Sequence, residues 1–276
     1  MSTMLLALAL ALYLLTAASF VGLVISGHRA LHRIAFGLLA GAFAMHAAAL
    51  ALRAGSLGYQ ALAPFQETLS FVACIAVGLY LTIAMRTDFT VVGALMAPVA
   101  FLFTLSGYVF ESETQGGGLP LPQHLKNFWL PAHVAPAFVG YAIFTVAFCL
   151  SMTYVVQERQ LKAKRKSDLF RRLPSLETLD ELNHRFVKWG FALFTIGLLT
   201  GSMLAKETWG ALWSWEPVQV WSLVTWLLYA LLLQARFIGW RGRKAAALTI
   251  VGFVILIASF FTVNLVFPGK HGGSFG

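Results

Sequence analysis

Residues 189–235 read WGFALFTIGLLTGSMLAKETWGALWSWEPVQVWSLVTWLLYALLLQA. Two apolar runs, about 189–205 and 217–235, are each long enough to cross a hydrocarbon core at the helical rise. Over 209–226, between the runs and into the second, fall five of the chain's eight tryptophans, Trp209, Trp213, Trp215, Trp221 and Trp226. An indole combines a flat apolar face with one polar N–H, so it suits a membrane boundary. An aromatic belt explains one or two of them. Five within eighteen residues, interrupted by Gly210, Glu216 and Pro217, suit a platform for a flat ligand better.

Working outward, six more apolar stretches resemble these two, at about 3–27, 34–52, 68–85, 89–110, 133–156 and 245–267. The chain of 276 residues is 59% hydrophobic and 11% charged, with a mean hydropathy of +0.76. A water-soluble domain carries roughly 25% charged residues, and no segment here is long enough to form one. No ten-residue alternation of a membrane barrel occurs. The expectation is an all-α membrane protein: one integral-membrane domain over 1–276, a polytopic bundle of eight transmembrane helices. The first run lacks a basic leader region and is too long for a signal-peptide core, so it reads as a retained span.

Basic residues alternate between the joining loops. Loops 28–33, 86–88, 157–188 and 236–244 hold 2, 1, 9 and 4 Lys or Arg, sixteen of the twenty. Arg53, Lys126, Lys206 and Lys270 fall on the other side. The positive-inside rule then puts both termini on the outer, periplasmic side. It also explains the net charge of +9 without nucleic acid, anionic lipid headgroups sufficing as partner. In loop 157–188, Ser175 is placed to cap a helix whose stripe of Leu176, Leu179, Leu182 and Phe186 runs into span six. Cys74 and Cys149 stand alone in apolar runs and read as packing residues; without CxxCH the chain is not itself a c-type cytochrome.

The outer side collects the unusual residues. Pro217 sits where span seven starts, with Glu216 in capping position before it, and Glu67 stands at the start of span three. A carboxylate at a helix N-terminus needs no catalytic role. His28, His32 and His184 lie among cytoplasmic arginines, and His124 in an outer loop; all four read as surface residues. His133, at the outer start of span five, and His271, beyond span eight, reach the same face as the tryptophans. Two neutral imidazoles and an aromatic wall suit a haem, as axial ligands and stacking surface, with Lys206, Lys270 or Lys126 against the propionates. Each histidine alone reads as an interfacial side chain. His46, near the middle of span two, either ligates a second, intramembrane haem or bonds to a neighbouring helix.

Several stretches resemble the cytochrome c assembly family of the CcsA/ResC and HemX type, whose tryptophan-rich segment is called the WWD domain. They are PSLETLDELNHRFVKWGF, LLTGSMLAKETWGALWSWEPVQVWSLVTWLLYALLLQAR, FFTVNLVFPGKH and, more weakly, FWLPAHVAPAFVGYAIF, covering residues 127–276. Upstream, APFQETLSF resembles the family's acidic segment before span three. The segment pattern falls on Trp209, Gly210, Trp213, Trp215, Glu216, Pro217 and Trp221. The resemblance implies that His133 and His271 are the family's two flanking ligands for haem b (iron protoporphyrin IX). Where the family commonly reads W-D-P-K-E-T-W, this chain has Trp215, Glu216, Pro217, Val218, Gln219, Val220 and Trp221. The lysine and glutamate that could steer propionates or a partner are absent.

The resemblance implies a haem-handling protein of the bacterial inner membrane. It would hold haem outside, for delivery or attachment to apocytochrome c, beside a CcsB/ResB-like membrane protein. Synthase members attach haem there as a lyase; no acid–base pair or nucleophile in this sequence marks a catalytic residue. The alternative is a HemX-like regulator of haem synthesis acting by protein interaction. A transporter ranks last, since no inverted repeat or pair of broken helices is evident.

Overall fold

The computed structural model describes residues 1–26, 29–57, 65–85, 89–109, 128–164 and 174–265. Among them the chain forms eight helices: α1 Ser2–Ser26, α2 Arg29–Leu57, α3 Phe65–Ala84, α4 Thr90–Val109, α5 Trp129–Lys162, α6 Leu176–Trp209, α7 Pro217–Phe237 and α8 Arg243–Leu265. Every one is long and apolar enough to span a bilayer, which bears out the eight-helix membrane bundle.

Several helices outrun the apolar stretches that predict them. α5 and α6 each have 34 residues, and α2 has 29. Hydropathy marks only the part of a helix that suits lipid, whereas backbone hydrogen bonding continues into polar turns. The start of α6 shows this. Ser175 caps it, its Oγ accepting the Thr178 N–H at 3.1 Å, and the amphipathic segment with buried Leu179 continues unbroken into the span.

Helices α1–α4 form one half, with α1 against α2 and α4, and α3 against α4. α5 is the central post of the molecule. It lies along α6, touches α8, and carries α3 and α4 on its other side. In its most apolar stretch 67% of residues are buried inside the protein, against 22% in α6 and in α7. Phe144 of α5 stacks on Tyr229 of α7 at 3.7 Å, and Phe148 on Phe253 of α8 at 4.5 Å. Cys74 and Cys149 are buried and unbridged, as packing residues should be. Helices in lipid gain little from hydrophobic burial against one another, so close packing and hydrogen bonds must hold them. Asn183 of α6 accordingly donates to Thr249 of α8 at 3.1 Å.

Candidate functional site

The tryptophan connection is built by its two helix ends. α6 stops at Trp209 because Gly210 takes a left-handed φ of +77°, its N–H closing on Lys206 O at 2.9 Å. Glycine adopts this conformation without steric cost. α7 starts at Pro217, where a missing N–H forfeits nothing. Glu216 occupies the capping position, as expected, and its side chain makes no capping hydrogen bond, leaving its charge to suit the helix end. Gln219 braces the turn before it. Its Oε1 accepts the Ser214 N–H at 2.8 Å and lies 3.2 Å from Ser214 Oγ. A residue three positions into a helix can reach back across the turn, and the neutral amide does so here.

Within this braced turn Trp215 has φ +56°, a region that costs a bulky residue roughly 1–2 kcal/mol. It is also 75% exposed. The Ser214–Gln219 bonds and Pro217 over-determine the backbone and hold the strain. The Trp213 ring stands at 90° to that of Trp215, 5.6 Å away. Its Nε1 is buried with no hydrogen-bond partner among the described residues, where an indole N–H ordinarily finds one. Trp209 and Trp221 are half-buried on the two flanking helix ends. Trp226 separates from this group. Its Nε1 donates to Thr195 Oγ1 at 2.9 Å and its ring leans on Phe191, so it belongs to the α6–α7 seam.

His133 lies in the second turn of α5, half-buried, against α6. Its Nδ1 is 2.7 Å from the carbonyl oxygen of Gly197. Thr200 Oγ1 lies 3.1 Å from Ala132 O, tying the same two helix segments. The eight residues from Gly201 to Trp209 rise about 12 Å along α6, so the imidazole and the indoles share one end of the α5–α6 pair. Lys206, in the last turn of α6, is exposed there. A porphyrin asks for imidazole nitrogen, aromatic faces and a cation, and this residue set fits that request. His271, Lys126, Lys270, His28 and His124 fall outside the described residues.

His46 is placed differently. It is fully buried in the N-terminal half. Its Nδ1 lies 3.2 Å from Tyr13 OH on α1 and its Nε2 2.9 Å from Ser70 Oγ on α3. One ring nitrogen donates and the other accepts, so the ring clasps three helices. Iron ligation by His46 would require one of those bonds to be given up. Toward the end of α2, Arg53 pairs with Glu67 of α3 at 2.9 Å, with both side chains under a tenth exposed. The expected loop cation and helix-end carboxylate are thus a buried ion pair. Phe71 of α3 lies 6.0 Å from Phe138 of α5, so this pair sits at the tryptophan end of the bundle.

At the opposite, basic end Asp180 of α6 forms a forked pair with Arg236 of α7, at 2.7 and 2.8 Å. The same carboxylate accepts the Gly242 N–H at 2.9 Å, just before α8. Sequence reading missed this clamp, because nothing in the spacing of 180, 236 and 242 couples them. It also missed Gly197 and Gly201, although the G-x-x-x-G spacing in GLLTG signals close helix contact.

Eight apolar helices, with a histidine and a strained tryptophan turn gathered at one end, define a multi-pass membrane protein. The profile of the family described as Cytochrome C assembly protein matches residues 62–271. The chain belongs to that family. It is 33% identical over 226 residues to the cytochrome c biogenesis protein CcsA of Chlamydomonas reinhardtii, covering 79% of this chain and 62% of that protein. To the CcsA of Guillardia theta it is 31% identical over 231 residues, 78% of this chain and 76% of the relative. To that of Synechococcus elongatus it is 30% identical over 257 residues, 78% and 79%. The fold is similar to that of the cytochrome c heme lyase CcmF, with a TM-score of 0.63 at 17% identity. That likeness covers 94% of this chain and 49% of the lyase, so the chain spans about half the lyase's length.

Proposed function

We propose that this protein holds haem b at the tryptophan end of the bundle for delivery or attachment to apocytochrome c. His133 and His271 would hold its iron. Trp209, Trp213, Trp215 and Trp221 would wall the macrocycle, and Lys206 would offset propionate charge. The observation that carries this reading is the seating of His133 on α6 at the end where that helix breaks into the perpendicular Trp213–Trp215 pair, with Trp215 exposed and strained. By the distribution of lysine and arginine, that end faces the periplasm of a bacterial inner membrane. Haem supplies the vinyl groups to which cysteine thiols add and an iron whose oxidation state governs that addition. The chain's own residues orient the macrocycle, exclude water from one face and present the other to a partner. A CcsB/ResB-like membrane protein is the expected companion. The family membership and the relatives' names support this reading.

The optical spectrum of the protein purified with haem tests it. A His133→Ala, His271→Ala double variant should lose the low-spin haem bands. Full retention of those bands would remove the site.

A further inference from the structure

The contact between His133 and α6 says more than that the two helices touch. A backbone carbonyl only accepts, so the 2.7 Å contact between Nδ1 and Gly197 O requires a proton on Nδ1. In the neutral ring the unshared pair then resides on Nε2. Two glycines one turn apart make this seat. A Cβ at Gly201 would lie 2.7 Å from Nδ1 and 2.8 Å from Cε1 of His133, inside the ring's own volume. A Cβ at Gly197 would press on the Ala137 backbone of α5 at 3.2 Å. Gly197 thus lets the two backbones approach, and Gly201 receives the imidazole edge-on. No other residue type fits at 201 without moving the ring.

We propose that Gly197 and Gly201 are positioning residues that fix His133 as its Nδ1–H tautomer, so that Nε2 is the atom that ligates haem iron. This rests on the haem-holding reading above. A hydrogen bond from the remote ring nitrogen to a carbonyl orients an imidazole ligand and makes it more basic.

Two measurements on the full chain in lipid nanodiscs test the proposal. The first needs no haem: nitrogen-15 NMR of histidine-labelled protein at neutral pH, with the His133 signal assigned by its loss in His133→Ala. The expected result is the Nδ1–H tautomer at position 133; the Nε2–H tautomer there would overturn the proposal. The second is haem titration of Gly201→Ala. Affinity should fall about 10- to 100-fold, the usual cost of losing an outer-sphere partner. Added free imidazole should restore the low-spin spectrum, which a merely loosened bundle would not allow. A Gly201→Ala protein that binds haem like the wild type overturns the positioning role. If instead His133→Ala itself keeps wild-type haem bands, the haem reading fails and the proposal with it, whatever tautomer NMR reports. Should Gly201→Ala not fold, the wild-type tautomer still decides.

Discussion

Both halves of this protein bury polar pairs, but they use their spanning histidines differently. In α1–α4, Tyr13, His46 and Ser70 clasp three helices, and Arg53 and Glu67 pair out of solvent. In α5–α8, Asn183 meets Thr249 and Asp180 pairs with Arg236, while His133 lies against the α6 backbone near the tryptophan turn. Each half carries a histidine on a spanning helix, yet the two do different work. His46 has both ring nitrogens committed to neighbouring helices, whereas His133 is seated at the end where tryptophans are exposed. A histidine in a membrane helix is therefore not a ligand site by type alone; where the fold seats it matters as well.

If the inward polar groups hold the N-terminal half together, breaking them should cost stability and leave haem alone. Removing one partner of a buried ion pair strands a charge, at about 3–5 kcal/mol. Glu67→Ala should therefore cause the largest loss of thermal stability in detergent, and Arg53→Leu with Glu67→Leu should recover most of it. An unfolding curve for Glu67→Ala that overlays the wild type would mean the pair does not tie α2 to α3. Asp180→Ala strips Arg236 and the Gly242 N–H of their shared acceptor and should cost about 2–3 kcal/mol. Haem affinity at the far end should be unchanged, and a change would show that the two ends are coupled.

Smaller effects separate the tryptophans. Trp215→Gly removes side-chain strain at φ +56° while adding chain entropy to the unfolded state. Its stability should stay within about 1 kcal/mol of the wild type, by the same strain and entropy terms. Its haem affinity should fall. Trp226→Phe should do the reverse, costing about 0.6–1.7 kcal/mol for the lost bond to Thr195 without touching haem. Ser70→Ala should be mildest, near 0.6 kcal/mol, because His46 keeps Tyr13.

Much of this architecture is legible in the chain itself. Eight apolar stretches specify eight helices because only a helix satisfies its own backbone in lipid. Span ends are not legible, since α6 continues through PSLETLDELNHRF by capping and amphipathicity rather than by hydropathy. Pairings across helices escape too. Arg53 reads as one more outer cation until α3 places Glu67 beside it. Glu216 reads as the cap of α7, but the neutral Gln219 is the side chain that reaches back to the turn. Gly197 and Gly201 announce a close approach, while the imidazole they receive is known only once α5 docks on α6. The tryptophan pattern is strong because it is local. The family profile reaches back to residue 62, where a reader sees little beyond APFQETLSF.

The proposed site holds iron at His133 and not at His46. Haem titration of His46→Gln and His133→Ala, followed optically in nanodiscs, compares the two in one experiment. The account predicts wild-type low-spin bands in His46→Gln and their loss in His133→Ala. Bands lost in His46→Gln and kept in His133→Ala would contradict it.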